Sequence, residues 1–548
     1  MMAELVYQTI GELLDEKTAL LPQNEALVYA DRDIRMTYAE FNDHANGVAK
    51  ALMAIGLEKG DHFAVWTTNV PEWPGLQFGS GKMGAPLVTV NTNYRSQELE
   101  YLLKQSDSRA IILIDHYRDY SFIETIYDIC PELKTSEPGK LQSESLPYLK
   151  TVVVISDQSY PGTYSYDEFL AKGNEITDEQ LLERKNSLSY EDVINIQYTS
   201  GTTGFPKGVM LTHSNLINNG INIAECMKLT HEDRLCIPVP FFHCFGCVIG
   251  TLAITSVGGT MVPVQEFHPE TVLRTVEKEK CTALHGVPTM FISELNLPNI
   301  HEFDLSSLRT GVMAGSNCPI EVMKGVINVM GMEDVTICYG QTESSPVVTQ
   351  TRIEDPIQLK VETVGRALPN VEVIIAKPGT NEELPRGEQG EICARGYVVM
   401  KGYYQNPDAT HEAIDEDNWL HTGDLGTMDE NGYLRVTGRL KDMFIRGGEN
   451  VYPREIEEFL YQHPKVLDVQ VAGVPDEKYG EEAAAWIILK DGQIATEEEI
   501  RTFCDGKISR HKIPRYIFFI DEYPMTASGK IQKYKLREQF NALSQSIN

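Results

Sequence analysis

Residues 198–208 read YTSGTTGFPKG: Thr199, Ser200, Thr202 and Thr203 place hydroxyls among Gly201, Gly204 and Gly208, and Lys207 adds a positive charge. Glycines let main-chain N–H groups come close to a ligand, and hydroxyls with a lysine complete a cradle for an anion such as phosphate. The run VINIQ at 193–197 reads as a strand and His213–Asn219 as the opening of a helix. The loop is therefore expected between strand and helix, where N–H groups converge on phosphate. It is not the GxxxxGK[ST] loop of P-loop nucleotidases. Val209 stands where that pattern, counted from Gly204, needs its second glycine, and Gly208 follows Lys207 where a metal-binding hydroxyl belongs. A solvated Gly/Ser/Thr turn is the plainer reading of such a cluster. The density of hydroxyls and the strand ahead of them favour phosphate.

Four further stretches carry groups suited to nucleotide chemistry: YGQTE (339–343), WLHTGDLG (419–426), GRLKDMFIRGGENVYPREIEE (438–458) and MTASGKIQK (525–533). Singly, each has an ordinary reading: Glu343 as a solvated carboxylate, Asp424 as a turn residue, Arg439 as a surface partner of Asp442, Lys530 as a loop lysine beside Gly529. Together, in this order and spacing, they resemble the adenylate-forming superfamily of acyl-CoA synthetases, firefly-type luciferases and peptide-synthetase adenylation domains, over almost the whole chain. Among acyl-CoA synthetases, VPEWPGLQF, VTVNTNYR, MAGSNCP and IEVMK look most like the branch that activates medium-chain fatty acids.

The resemblance implies an acid-thiol ligase. A carboxylate attacks the α-phosphate of ATP to give acyl-adenylate and pyrophosphate, and the thiol of CoA then displaces AMP. Both partners of the first step are anionic, so positioning and fixed donors must carry it. Carried over by position, Thr199, Ser200, Gly201, Thr202, Thr203, Gly204, Lys207 and Gly208 would hold the β- and γ-phosphates. Glu343 would hold Mg²⁺, a hard cation that prefers oxygen ligands. Tyr339 would stack on adenine, with Gln341 in the same nucleotide-binding turn and Thr342 near the α-phosphate. Asp424 would accept from the ribose hydroxyls, and Arg439 would reach the same sugar.

Lys530 would bridge the attacking carboxylate and the α-phosphate; with Thr202, Glu343 and His243 it makes up the implied catalytic set. The resemblance puts His243 at the mouth of an acyl pocket lined from Phe241 to Gly246 and from Val312 to Cys318, with Gly315 exposing backbone to the carboxylate. Gly448 would lie beside the pantetheine arm of CoA, and Lys441 would be the hinge about which a small C-terminal domain rotates. A turn formed by Gly447 and Gly448 is the plain alternative there, as an interior hydrogen-bonded imidazole is for His243. Met525 and Lys533 depart from the family pattern PKTxSGKIxR, which bears on phosphate or CoA contacts at those positions and not on Lys530.

The elements that must position these groups alternate. Thr37 with Glu40 reads as a capping box opening a helix with Phe41, Ala45, Val48, Ala49 and Leu52 at helical spacing. The strand HFAVW, a helix over 71–83, PLVTV, the helix SQELEYLLKQS and AIILI follow, and the alternation returns from 234 to YGQTE. Such a pattern predicts an α/β fold with parallel sheets and crossover helices, ligands sitting at the carboxyl ends of the strands. From about 360 short strands with Gly and Pro turns suggest a β-rich subdomain, and from about 442 a small α+β unit. The expected division is a large N-terminal AMP-binding domain over 1–440 and a C-terminal α+β lid domain over 441–548.

Composition narrows the class. The chain has 548 residues and a formal net charge of −31, from 48 basic and 79 acidic side chains, which argues against non-specific nucleic-acid binding. The N-terminus has no basic region followed by an apolar core, and no apolar run reaches the roughly eighteen residues of a membrane span. Ten scattered cysteines suit a reducing compartment, so a soluble cytoplasmic protein is expected. His243, Cys244 and Cys247 could sketch a metal site, but buried thiols beside aromatics are the favoured reading. The expected small-molecule partners are a fatty acid, ATP and CoA, with a homodimer left open. Two rivals stand: a ligase that loads a separate carrier protein, and a catalytically silent nucleotide-binding scaffold. Luciferase-like oxidation is a weaker third.

Overall fold

A computed structural model describes residues 4–199, 206–316, 318–447, 449–476, 478–525 and 531–547. Ser200, Gly201, Thr202, Thr203, Gly204, Gly448 and Lys530 lie outside the described residues. Two compact units divide the chain: Met1–Glu372 with Ala394–Leu420, and Val373–Cys393 with His421–Asn548.

The first unit holds two large sheets. In the nine-stranded sheet, Asp334–Gly340, Thr310–Met313, Ala283–Leu284, Arg234–Ile237, Thr260–Pro263 and Glu25–Tyr29 run parallel in that spatial order, with antiparallel strands at both edges. In the eight-stranded sheet, Val193–Thr199, Leu87–Thr89, Phe63–Trp66, Ala110–Ile114 and Thr151–Ile155 are parallel. Strands such as FAVW and AIILI are buried at every position, because crossover helices cover both faces of a parallel sheet. The helix Tyr38–Ala54 opens with the expected reciprocal cap of Thr37 and Glu40, and buries Phe41, Ala45, Val48, Ala49 and Leu52.

One expectation fails in an informative way. The phosphate-type loop does not run from strand to helix. Lys207–Thr212 forms a strand antiparallel to Val193–Thr199, and only then does the helix His213–Cys226 begin. Gly208, Val209, Leu211 and Thr212 are buried and Lys207 and Met210 less so, as in a strand covered over much of both faces. The loop therefore caps a β-hairpin in which Thr199 pairs with Lys207 and Tyr198 with Gly208.

The second unit contains most of a four-stranded sheet in the order Val371–Ala376, Gly390–Gly396, Leu420–Met428, Leu434–Arg439. It also contains a five-stranded sheet built on the long hairpin Val466–Asp476 and Gly480–Leu489. The helices Pro453–Leu460 and Glu497–Cys504 cover that sheet, burying Ile456, Leu460, Ile500 and Cys504 against Val469, Val471 and Ile487. All ten cysteines are buried and none is in a disulfide. Among the described residues no helix is long and apolar enough to cross a membrane.

Candidate active site

In the first unit, the hairpin and the stretch YGQTE meet. Strand Asp334–Gly340 delivers Tyr339 to its carboxyl end, and a 3₁₀ turn, Thr342–Ser344, carries Glu343 just beyond. Gly340 is required there by close approach: a Cβ at this position would lie 1.8 Å from the carbonyl oxygen of Pro346. The turn is closed by Ser344, whose hydroxyl accepts from the N–H of Gln341 at 3.0 Å and donates to the carbonyl of Pro346 at 2.8 Å. Thr342 is buried.

The Glu343 carboxylate then faces the hairpin. The Thr199 hydroxyl donates to its Oε1 at 3.3 Å, and the phenol of Tyr403 donates to the same oxygen at 2.9 Å. Oε2 takes no hydrogen bond among the described residues, which leaves a hard oxygen for a cation. Tyr403 was not singled out by the sequence. Its strand, Gly402–Tyr403, pairs with Lys207–Thr212 so that Tyr403 stands opposite Val209, and the ammonium of Lys207 lies 4.8 Å from the centre of its ring. The preceding segment also holds the main chain, Met400 N–H donating to the carbonyl of Glu343 and Tyr404 N–H to that of Gly208. Burial, with the carboxylate beside it, keeps the Tyr403 phenol protonated far beyond its ordinary range. Its local sequence, KGYY, carries no sign of Glu343, which lies 60 residues away.

The candidate acyl wall is irregular. Phe245–Gly250 is a π-helical turn, a geometry concentrated at functional sites, followed by the helix Thr251–Ser256. His243 is partly buried ahead of it, its Nδ1 accepting from the N–H of Phe245 at 3.1 Å. Among the described residues no group of potential metal ligands includes the nearby thiols. Cys244 donates to Oε1 of Gln197 at 2.9 Å, and Nε2 of the same amide donates to Cys247 Sγ at 3.1 Å, tying the turn to the strand that leads into the loop. His285, also unanticipated, braces the wall from the other side. Its Nδ1 accepts from Val312 N–H at 3.1 Å, so its Nε2 carries the proton donated to the carbonyl of Ile249 at 3.0 Å. Burial pushes this imidazole down to about 4. Gly315 follows the strand Thr310–Met313 with φ of +92°, which favours glycine, and is exposed.

In the second unit, Asp424 and Arg439 face each other across antiparallel strands, Nε to Oδ1 at 2.7 Å, Asp424 buried and Arg439 largely exposed. Arg439 thus has Asp424 as a carboxylate partner, and the N–H of Asp442 donates to the Arg439 carbonyl. Lys441 is exposed in the turn that follows. Among the described residues, one trio places potential ligand atoms within 4.8 Å of one another: Glu391, Cys393 and His421. Met525 and Ile531 form an antiparallel bridge on either side of 526–530. The substituted Lys533 donates to Glu457 at 2.6 Å and to the carbonyl of Val471 at 3.1 Å.

A family model described as AMP-binding enzyme matches residues 14–404, and a second, AMP-binding enzyme C-terminal domain, matches 455–530. The chain belongs to the AMP-binding enzyme family. This AMP-binding enzyme is 62% identical over 538 residues to the putative acyl-CoA synthetase YngI of Bacillus subtilis, the match covering 98% of each chain. It is 42% identical to the mitochondrial medium-chain acyl-CoA ligase ACSF2 of Danio rerio, over 97% of this chain and 88% of that one. Among solved structures it resembles the anthranilate CoA ligase AuaEII in complex with anthranoyl-AMP, with a TM-score of 0.83, 28% identity and 98% of both chains covered.

Proposed function

We propose that the protein is an ATP-dependent fatty acid:CoA ligase that forms an acyl-adenylate and then acyl-CoA, releasing pyrophosphate and AMP, with medium-chain acids as its substrates. The observation that carries the reading is the convergence of Thr199, Lys207 and Tyr403 with Glu343 at the mouth of the hairpin from which the loop 200–205 leaves. A carboxylate presented beside hydroxyls and a lysine is the donor set for a metal-chelated polyphosphate.

Each group then has a task. Residues 199–208 hold the β- and γ-phosphates, and Lys207 offsets part of their charge. Glu343, its Oε1 held by the Tyr403 phenol, would hold Mg²⁺, which would supply neutralisation of phosphate charge. Tyr339 stacks on adenine at the end of its strand, while Gln341 and Thr342 shape the turn beside it. Asp424 accepts from the ribose hydroxyls, and Arg439, its partner across the strands, reaches the same sugar. Lys530 delivers charge to the attacking carboxylate and the α-phosphate; its withdrawal, about a hinge at Lys441, clears the approach of the thiol along Gly448. His243 stands at the pocket mouth. The apolar lining of the π-helical turn suits an alkyl chain at about 0.8 kcal/mol per buried CH₂.

The test is release of AMP with ATP, Mg²⁺ and a series of acids from acetate to palmitate, with and without CoA. Turnover on intermediate chain lengths that depends on CoA supports the reading. AMP release unaffected by CoA moves the acceptor to a carrier protein, and no release with any acid leaves a nucleotide-binding scaffold.

A further inference from the structure

Glu391 is a buried carboxylate, 4% exposed, on the strand beside the one that carries Asp424, and no substrate role falls to it. Its two oxygens are both engaged. Oε1 accepts from the N–H of Gly423 at 3.1 Å; Oε2 accepts from the N–H of Gly379 at 3.2 Å and lies 3.2 Å from His421 Nδ1. The next residue of the strand continues the pattern, the carbonyl of Ile392 accepting from the Thr422 hydroxyl at 2.7 Å. That hydroxyl accepts in turn from the N–H of Asp424 at 3.1 Å. Three consecutive residues, His421, Thr422 and Gly423, are thereby fastened to Glu391 and its neighbour immediately ahead of the aspartate. On the far side, Leu440 N–H donates to the carbonyl of Gly423 at 2.9 Å, while Arg439 holds Asp424 Oδ1.

A buried carboxylate is costly unless fully hydrogen-bonded, and here its contacts are the N–H of Gly423 and the ring of His421 on the neighbouring strand, and the N–H of Gly379. Pairing with the strand Leu434–Arg439 begins only at Asp424, so on that side nothing in the ladder holds His421–Gly423, and Gly423 bends the strand through a φ of +70° immediately ahead of the aspartate.

We propose that Glu391 is a positioning residue for ribose recognition: its carboxylate clamps the His421–Gly423 part of the strand and so orients Asp424 toward the sugar hydroxyls of ATP. The inference rests on the assignment of Asp424 to the ribose, and deepens it by naming what sets the selectivity for a ribose over a deoxyribose.

The experiment compares kcat/KM for ATP, 2′-deoxyATP and 3′-deoxyATP in the full-length enzyme and four variants, with pyrophosphate release as readout. Asp424→Asn serves as the reference loss of ribose selectivity. Glu391→Ala is expected to lower the preference for ATP over the deoxynucleotides by roughly tenfold, the scale of a lost hydrogen bond to a charged group. KM for ATP rises while KM for the fatty acid and kcat stay near wild type. Glu391→Gln, whose amide oxygen still accepts from Gly423, recovers most of the selectivity. Thr422→Val removes the hydroxyl that meets Asp424 N–H and should reproduce the loss without emptying a buried charge site, which keeps the test alive should Glu391→Ala not fold. Equal losses with ATP and both deoxynucleotides in Glu391→Ala and Thr422→Val overturn the proposal while Asp424→Asn keeps the ribose assignment. Unchanged selectivity in Asp424→Asn removes the assignment itself, and the proposal with it.

Discussion

The phenol of Tyr403 donates to Oε1 of Glu343 at 2.9 Å while the ammonium of Lys207 sits over the same ring. One side chain thus joins the acid of YGQTE to the lysine of the glycine-rich loop. Tyr403→Phe keeps the ring under Lys207 and deletes the bond to Glu343. With a hydrogen bond to a charged group contributing about 1.5–3 kcal/mol, the exchange of pyrophosphate into ATP is expected to fall by roughly tenfold or more. The Mg²⁺ concentration for half-maximal exchange should rise in parallel. A variant with wild-type exchange across the Mg²⁺ titration would show that Glu343 needs no such support.

Gly340 should tolerate no side chain. A Cβ there meets the Pro346 carbonyl oxygen at 1.8 Å, backbone against backbone, where nothing can rotate away. Gly340→Ala is expected to lower stability by about 1–3 kcal/mol, the range for overpacked sites, and to displace Glu343 three residues on. Urea midpoints read the first effect and pyrophosphate exchange the second; a fully active variant of wild-type stability contradicts the assignment of this glycine.

Stability should weaken in mild acid through two buried imidazoles. Burial holds His213 at about 3 and His285 at about 4, against an ordinary 6.5. Above about pH 6.5 neither the folded nor the unfolded chain protonates them, and they contribute no slope. Below it the unfolded chain takes up protons that the folded chain refuses, so stability falls until each folded value is reached. From about pH 7 to about pH 5 each imidazole removes roughly 2 kcal/mol. Burial depresses His44, His62 and His463 as well and adds to the loss. Urea midpoints at the two pH values measure the total, and His285→Asn should recover about 2 kcal/mol of it, whereas coincident midpoints in the wild type refute the prediction.

The two half-reactions should separate genetically. Lys530→Ala is expected to cost about 10² to 10³ in adenylation, as loss of one transition-state donor does. Gly448→Leu should leave pyrophosphate exchange intact and abolish thioester formation, because a side chain beside the pantetheine arm plugs its path. Equal loss of both half-reactions in Gly448→Leu removes that residue from the CoA path.

What could be read from the sequence, and what could not, follows from the range of the interactions concerned. The helix Tyr38–Ala54 was legible because its cap and its apolar stripe are local. FAVW and AIILI were legible because a buried parallel strand is apolar throughout. Glu343, Asp424 and Arg439 were legible as candidates through motif order. The strand Lys207–Thr212 is not legible because its apolar run, Val209–Leu211, is only three residues long between a glycine and the opening of a helix. Tyr403, His285 and Glu391 stayed hidden for a different reason: each acts on a residue distant in sequence, Tyr403 on Glu343, His285 on Val312 and Ile249, Glu391 on Gly423. Only the folded pairing of strands makes such partners neighbours.

Lys533 gives the helix Lys533–Ile547 a function beyond covering a sheet. Its ammonium is fastened to Glu457 and Val471, and Leu536 and Phe540 of the same helix are buried among Ala472, Val474 and Trp486. The chain entering and leaving 526–530 is thus moored on one side by the Met525–Ile531 bridge and on the other by this helix. A truncation after Lys530 would keep the lysine and yet remove Ile531, Lys533 and the buried Leu536 and Phe540, so any loss of adenylation in it would report the worth of this tether to the flanking chain.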